Sequence, residues 1–141
     1  MYLKSPQPKL LKYWAPPVAW MVVIFLFSSI HTRPVSTVYW REFAVKKSAH
    51  IVEYAILTVL LYRAFRTSYS KQKAGIYAMV ISVIYAITDE FHQSFTPGRE
   101  PTVRDVIFDT IGATLAIFLT WNYLPKAPKR LKNWAKKLEL I

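Results

Sequence analysis

The chain has 141 residues, 53% of them hydrophobic and 16% aromatic, with a formal net charge of +11 and no cysteine. That length fits one domain, and the composition is too apolar for an ordinary soluble one. The lack of cysteine excludes disulfides, thiolate metal sites and a cysteine nucleophile, so any metal would use histidine and carboxylate. The 19 Lys and Arg residues fall mainly between and beyond the apolar stretches, a distribution that speaks against nucleic acid and for a membrane.

A bilayer core takes about 20 mostly apolar residues as helix, and four segments approach that length. After a basic N-terminus over 1–13, the first runs over 14–30 ("WAPPVAWMVVIFLFSSI"), with Pro16 and Pro17 near its start, where a missing N–H costs least. No small-x-small cleavage pattern follows it, so it reads as a retained helix. The second, third and fourth segments are 48–65, 74–91 and 106–123. The tail over 124–141 sets Leu131, Trp134, Leu138 and Ile141 at spacings of 3, 4 and 3 among lysines. It reads either as a helix on an anionic inner leaflet or as a frayed basic tail that only enforces topology. With four spans, the N-terminus, second loop and tail share one side and carry thirteen cations. The first and third loops carry six: Arg33, Arg41, Lys46, Lys47, Arg99 and Arg104. The expected fold is therefore all-α, a four-helix transmembrane bundle over 14–123 with both termini cytoplasmic and a basic amphipathic C-terminal tail.

Helical spacing then sorts the polar residues, because positions three and four apart share a face. Lys46, His50 and Glu53 form one stripe in the second segment, beside Lys47, His50 and Tyr54. Ser82, Tyr85, Asp89 and His92 form another in the third, and Asp105, Asp109, Gly112 and Ala116 a third in the fourth. All three stripes place their ionisable groups at the same end, which the cation count turns outward. Carboxylates within a bilayer cost about 2.5–3.5 kcal/mol at its centre and less towards the interface, so they are expected to face the bundle interior and pair. The plainer alternative is that Asp89, Glu90 and Asp105 cap helix ends or pair with Arg99, Arg104 and Lys47. Between the third and fourth segments, "SFTPGREPTVRD" supplies a Pro97-Gly98 turn, a cap at or near Thr102, and Arg99 beside the carboxylates.

The pattern Lys47-x-x-His50 with Tyr54, then Asp89-Glu90-x-x-Gln93-x-Phe95-x-Pro97-Gly98-Arg99, then Asp105 and Gly112, resembles the VanZ-like family of small bacterial membrane proteins. The resemblance covers roughly residues 47–116. The chain departs from the family pattern at Asp109, where Asn is favoured, and His92 falls at a variable position. The resemblance implies an envelope protein of the cytoplasmic membrane associated with resistance to teicoplanin-type glycopeptides.

Three mechanisms fit these residues. In the first, the bundle binds or remodels an anionic lipid or cell-wall precursor at the outer leaflet, with Lys47, Arg99 and Arg104 meeting phosphate and Tyr54, Gln93 and Asp109 completing the ligand site. In the second, the protein is an intramembrane enzyme with His50, Glu53, Asp89, Glu90, His92 and Asp105 as catalytic candidates. A divalent metal held by some of His50, Glu53, Asp89, His92, Asp105 and Asp109 would activate water, or His50 and Glu53 would act as acid and base. A third reading, proton or ion transport, lacks a continuous ionisable path through the inner halves of the helices. Glycine-rich phosphate loops, serine-hydrolase elbows and HExxH pairs are missing from the sequence.

Overall fold

A computed structural model describes residues 7–30, 39–97, 99 and 102–141, and the side chains of all of these except 7–9 and 39. Gly98 of the expected turn, Arg33 and Lys4, and the side chain of Lys9, lie outside the described residues. Among the described residues the chain is all-helical: α1 Gln7–Ser29, α2 Tyr39–Phe65, α3 Lys71–Gln93, α4 Val103–Phe118 and α5 Lys129–Lys137. Three helices are long and apolar enough to cross a membrane, over Leu10–Ser29, Trp40–Phe65 and Lys71–Gln93. α4 has 16 α-helical residues, and its backbone loosens at Leu119–Tyr123 into a π-helical turn before a short 3₁₀ turn at Leu124–Lys126.

α1 begins earlier than the prolines suggest, so Pro16 and Pro17 lie inside the helix. Neither ring can donate to the carbonyl four residues back, which leaves the carbonyls of Lys12 and Tyr13 without those helical bonds. α3 starts at Ser70, whose hydroxyl accepts from the Lys73 N–H at 3.5 Å.

α2 and α3 form the centre, with α1 on one side of them and α4 on the other. Small residues let these helices approach closely. α3 buries Ala74, Ala78, Ser82, Ala86, Asp89 and Gln93, and Thr58 of α2 donates to Ser82 Oγ at 2.8 Å across that seam. α4 presents Asp105, Asp109, Gly112 and Ala116 to the interior, the stripe expected from spacing. The opposite faces expose Val22, Leu26, Val80, Ile84, Ile107 and Leu115. Polar groups inside and bare aliphatic surface outside is the arrangement that lipid, not water, would solvate.

The tail forms a short fifth helix. α5 turns back onto the bundle, burying Ala135 and Leu140, while Trp134 stays exposed and Leu131 and Leu138 are half-buried. It closes with the Leu140 N–H on the Ala135 carbonyl at 3.0 Å and Glu139 at φ 58°. This is the Schellman arrangement with a glutamate where glycine is usual. The Glu139 carboxylate accepts from Tyr13 and, at 3.2 Å, from Lys12, and those bonds hold it below the ordinary carboxylate range. A depressed folded value means that the clasp contributes fully above the ordinary range and fades as pH falls through the lower folded one. Hydrogen exchange in α5, normalised to α3 at each pH, is expected to show protection lost on acidification, and Glu139→Gln to show that loss already at neutral pH.

Candidate functional site

The ends of α1 to α4 that carry Ser28, Lys47, Asp89 and Asp105 converge, and a polar cluster fills the space between them. It has two compartments with His50 bordering both.

The first lies between α1, α2 and α3. It is a recess of about 130 Å³ lined by Ile24, Phe27, Ser28, Lys46, Ala49, His50, Glu53, Asp89, Gln93 and Arg99. Arg99 donates to Gln93 Oε1 at 3.4 Å and to the Phe27 carbonyl at 2.9 Å, and Gln93 donates to Asp89 Oδ2 at 2.9 Å. The guanidinium is thus fixed in the lining of the recess and linked through an amide to a buried carboxylate. Lys46 reaches the same recess while paired with Glu42 at 2.7 Å.

The second compartment lies between α2, α3 and α4. His50 Nδ1 stands 3.0 Å from Asp109 Oδ1, Lys47 pairs with Asp105, and Glu90 Oε2 accepts from the Thr102 N–H at 3.1 Å. One donor atom each from His50, Glu90 and Asp109 lies within 4.8 Å of the others. Three carboxylate oxygens, Asp89 Oδ1, Glu90 Oε1 and Asp109 Oδ2, are buried without a hydrogen-bond partner among the described residues.

Of the twelve residues singled out from sequence, nine line or link these compartments: Lys47, His50, Glu53, Asp89, Glu90, Gln93, Arg99, Asp105 and Asp109. Three stand apart. His92 turns to α1, with its ring 4.2 Å from that of Phe25 and Nδ1 3.4 Å from Ser28 Oγ. Arg104 is exposed and lies 5.3 Å from the Phe43 ring, outside both compartments. Tyr54 is fully buried below the cluster beside Tyr85, and its hydroxyl has no partner among the described residues.

Sequence reasoning missed the parts supplied by backbone and by α1. Ser28, the Phe27 carbonyl and the Thr102 N–H all shape the site, and only the Ser28-Ser29 pair at the end of an apolar run hinted at them. Trp20 ties α1 to the Glu53 carbonyl at 2.9 Å with no sequence signal at all. A larger recess of about 640 Å³ at the opposite end, lined by Tyr13, Trp14, Arg63, Arg66 and Lys136, contains Glu139 of the tail clasp and none of the cluster residues.

No curated protein and no solved structure matches the chain. The family model described as VanZ/LLP1 matches residues 12–124, from the second turn of α1 to the end of the π-helical turn, and so takes in the whole cluster. Spanning most of the chain, that match makes the protein a member of the VanZ-like family.

Proposed function

We propose that the protein crosses the bacterial cytoplasmic membrane four times, with both termini in the cytoplasm, and binds the anionic headgroup of a lipid or lipid-linked cell-wall precursor in the recess beneath Arg99. α4 and its π-helical continuation supply the fourth span. The excess of cations at the end opposite the cluster supports that orientation. Family membership supports a link to tolerance of teicoplanin-type glycopeptides, with the bound envelope component as the point of action.

The carrying observation is the pairing of a fixed guanidinium with a small polar recess among lipid-facing helices. At about 30 Å³ per water, 130 Å³ holds about four waters, which suits a phosphate-sized group rather than a whole lipid. Arg99 meets such an oxyanion through its planar fork while Lys46 adds a second positive charge. The acyl chains then remain outside, against the bare faces of the helices.

Native mass spectrometry of the purified protein with phosphate-bearing envelope lipids tests this reading. Loss of one charge-assisted contact corresponds to about tenfold weaker binding or more, so Arg99→Ala is expected to lose most bound lipid and Arg99→Lys to keep part of it. Equal lipid occupancy in wild type and Arg99→Ala would sink the proposal. In cells, expression of the wild type is expected to raise teicoplanin tolerance and the Arg99→Ala variant to leave it at baseline.

A further inference from the structure

We propose that His50, Glu90 and Asp109 bind one divalent transition-metal ion, of the Zn²⁺ or Mn²⁺ kind, between α2, α3 and α4. The proposal goes beyond headgroup binding and does not depend on it, since none of the three ligands is the arginine that carries that reading.

The first argument is geometric. Donors from three separate helices approach within 4.8 Å of one another, and the closest pair, His50 Nδ1 and Asp109 Oδ1, is 3.0 Å apart. Two ligands bonded at about 2.1 Å stand about 3.4 Å apart on a tetrahedral ion and about 3 Å apart on an octahedral one, so this pair is within a few tenths of an ångström of the spacing of neighbouring ligands. Glu90 offers the third donor, within 4.8 Å of both.

The second argument is unmet bonding. Asp109 is 1% exposed and Glu90 6%, yet Oδ2 of one and Oε1 of the other have no hydrogen-bond partner among the described residues. Asp109 Oδ1 meanwhile faces the His50 Nδ1 that would be its fellow ligand, and Glu90 is anchored through its other oxygen to the Thr102 N–H. One oxygen oriented by the protein and one left over is how ligating carboxylates are supported from behind. Buried acceptors left empty are costly, and a cation held by Glu90 Oε1 and by both oxygens of Asp109 satisfies two of them at once.

The third argument is charge. Glu53, Asp89, Glu90, Asp105 and Asp109 bring five carboxylates to the two compartments, whereas Lys47 is engaged by Asp105 and Arg99 donates to Gln93 and to the Phe27 carbonyl. Lys46 is already paired with Glu42. A divalent ion at Asp109 and Glu90 supplies the missing positive charge where both side chains are most buried. One imidazole nitrogen with two carboxylates selects a borderline metal over Ca²⁺ or Mg²⁺, and three protein ligands leave at least one coordination position for water or an oxyanion.

The test uses the full chain in detergent after chelator treatment and dialysis, titrated with ZnCl₂ and MnCl₂ by calorimetry and then desalted for elemental analysis. About one ion per chain is expected in wild type and in Arg99→Ala, and affinity about 100-fold lower in Glu90→Gln and in Asp109→Asn. Wild type that is folded by circular dichroism and binds neither ion overturns the proposal. So does an ion retained at full affinity by both carboxylate variants, which would place it elsewhere. If those variants do not fold, electron spin-echo spectra of Mn²⁺ on the wild type decide: nitrogen coupling from one imidazole supports the site, and its absence overturns it. Arg99→Ala separates the two readings, because it is expected to lose lipid and keep the ion.

Discussion

Gly112→Ala is expected to force α4 off α2 and to break the contact between His50 and Asp109. A β-carbon at position 112 falls 2.3 Å from the carbonyl oxygen of Ile51 and 3.0 Å from its Cα, both of them backbone. Backbone cannot swing aside, so the helices must separate or shear. Overpacking of this kind costs about 1–3 kcal/mol even where side chains absorb it. The strain is applied three residues from Asp109 and one from His50, across the same helix pair. Unfolding in detergent is therefore expected at a clearly lower temperature, with ligand binding lost even in the fraction that stays folded. Gly75 provides the comparison. Its β-carbon would meet Trp121 Cζ2 at 2.2 Å, an indole edge rather than backbone, so Gly75→Ala is expected to cost less and to leave the cluster intact. Equal effects of the two substitutions would refute the assignment of Gly112 as the contact point that sets the helix spacing.

The other large effect is expected at the pair formed by Lys47 and Asp105, whose side chains are 14% and 10% exposed. Removing one partner leaves a charge that is largely desolvated, which costs about 3–5 kcal/mol, whereas replacing both with apolar residues of similar volume is often neutral. Lys47→Met alone is expected to destabilise the protein strongly. Lys47→Met with Asp105→Leu should recover most of that loss. A reversible unfolding assay on the four proteins of this cycle measures the difference, and a double variant no better than the single ones would show that the pair is not what holds α2 to α4. The same result bears on ligand binding: an ammonium committed to Asp105 is not free to meet phosphate, which leaves that role chiefly to Arg99, since Lys46 is itself paired with Glu42.

The helices and the shared polar end were legible because both follow from periodicity. Asp105, Asp109, Gly112 and Ala116 share a face by spacing alone, and a glycine below two carboxylates announces a close approach before any neighbour is known. Periodicity does not say which helix a face meets. His92 sits three positions beyond Asp89, and that rotation is enough to turn it to Phe25 of α1 and away from His50. Arg104 precedes Asp105 directly, so it points well away from the interior and settles on Phe43. Pro16 and Pro17 were misplaced for a different reason. A proline marks a missing hydrogen bond, and the helix continues through it where packing outweighs the loss, as at the buried Pro17. The tail's amphipathic pattern fits a membrane surface and a protein surface equally well, so its helix was legible while the packing of Ala135 and Leu140 on the bundle was not.

α1 is the least embedded of the apolar helices. Only 11% of its apolar window is buried, against 33% and 39% for those of α2 and α3. At the cluster end it is fastened mainly by single polar ties: Trp20 to the Glu53 carbonyl, Tyr85 to the Met21 carbonyl, Arg99 to the Phe27 carbonyl, and Ser28 beside His92. Its outer face is bare apolar surface, with Val22 and Leu26 exposed, while Ile24 seats its inner face in the core. α1 is also the wall that separates the recess under Arg99 from the plane of the bilayer. On the proposed headgroup reading, the ties from Arg99 and Ser28 are therefore the ones that a lipid entering from the side of α1 would have to part.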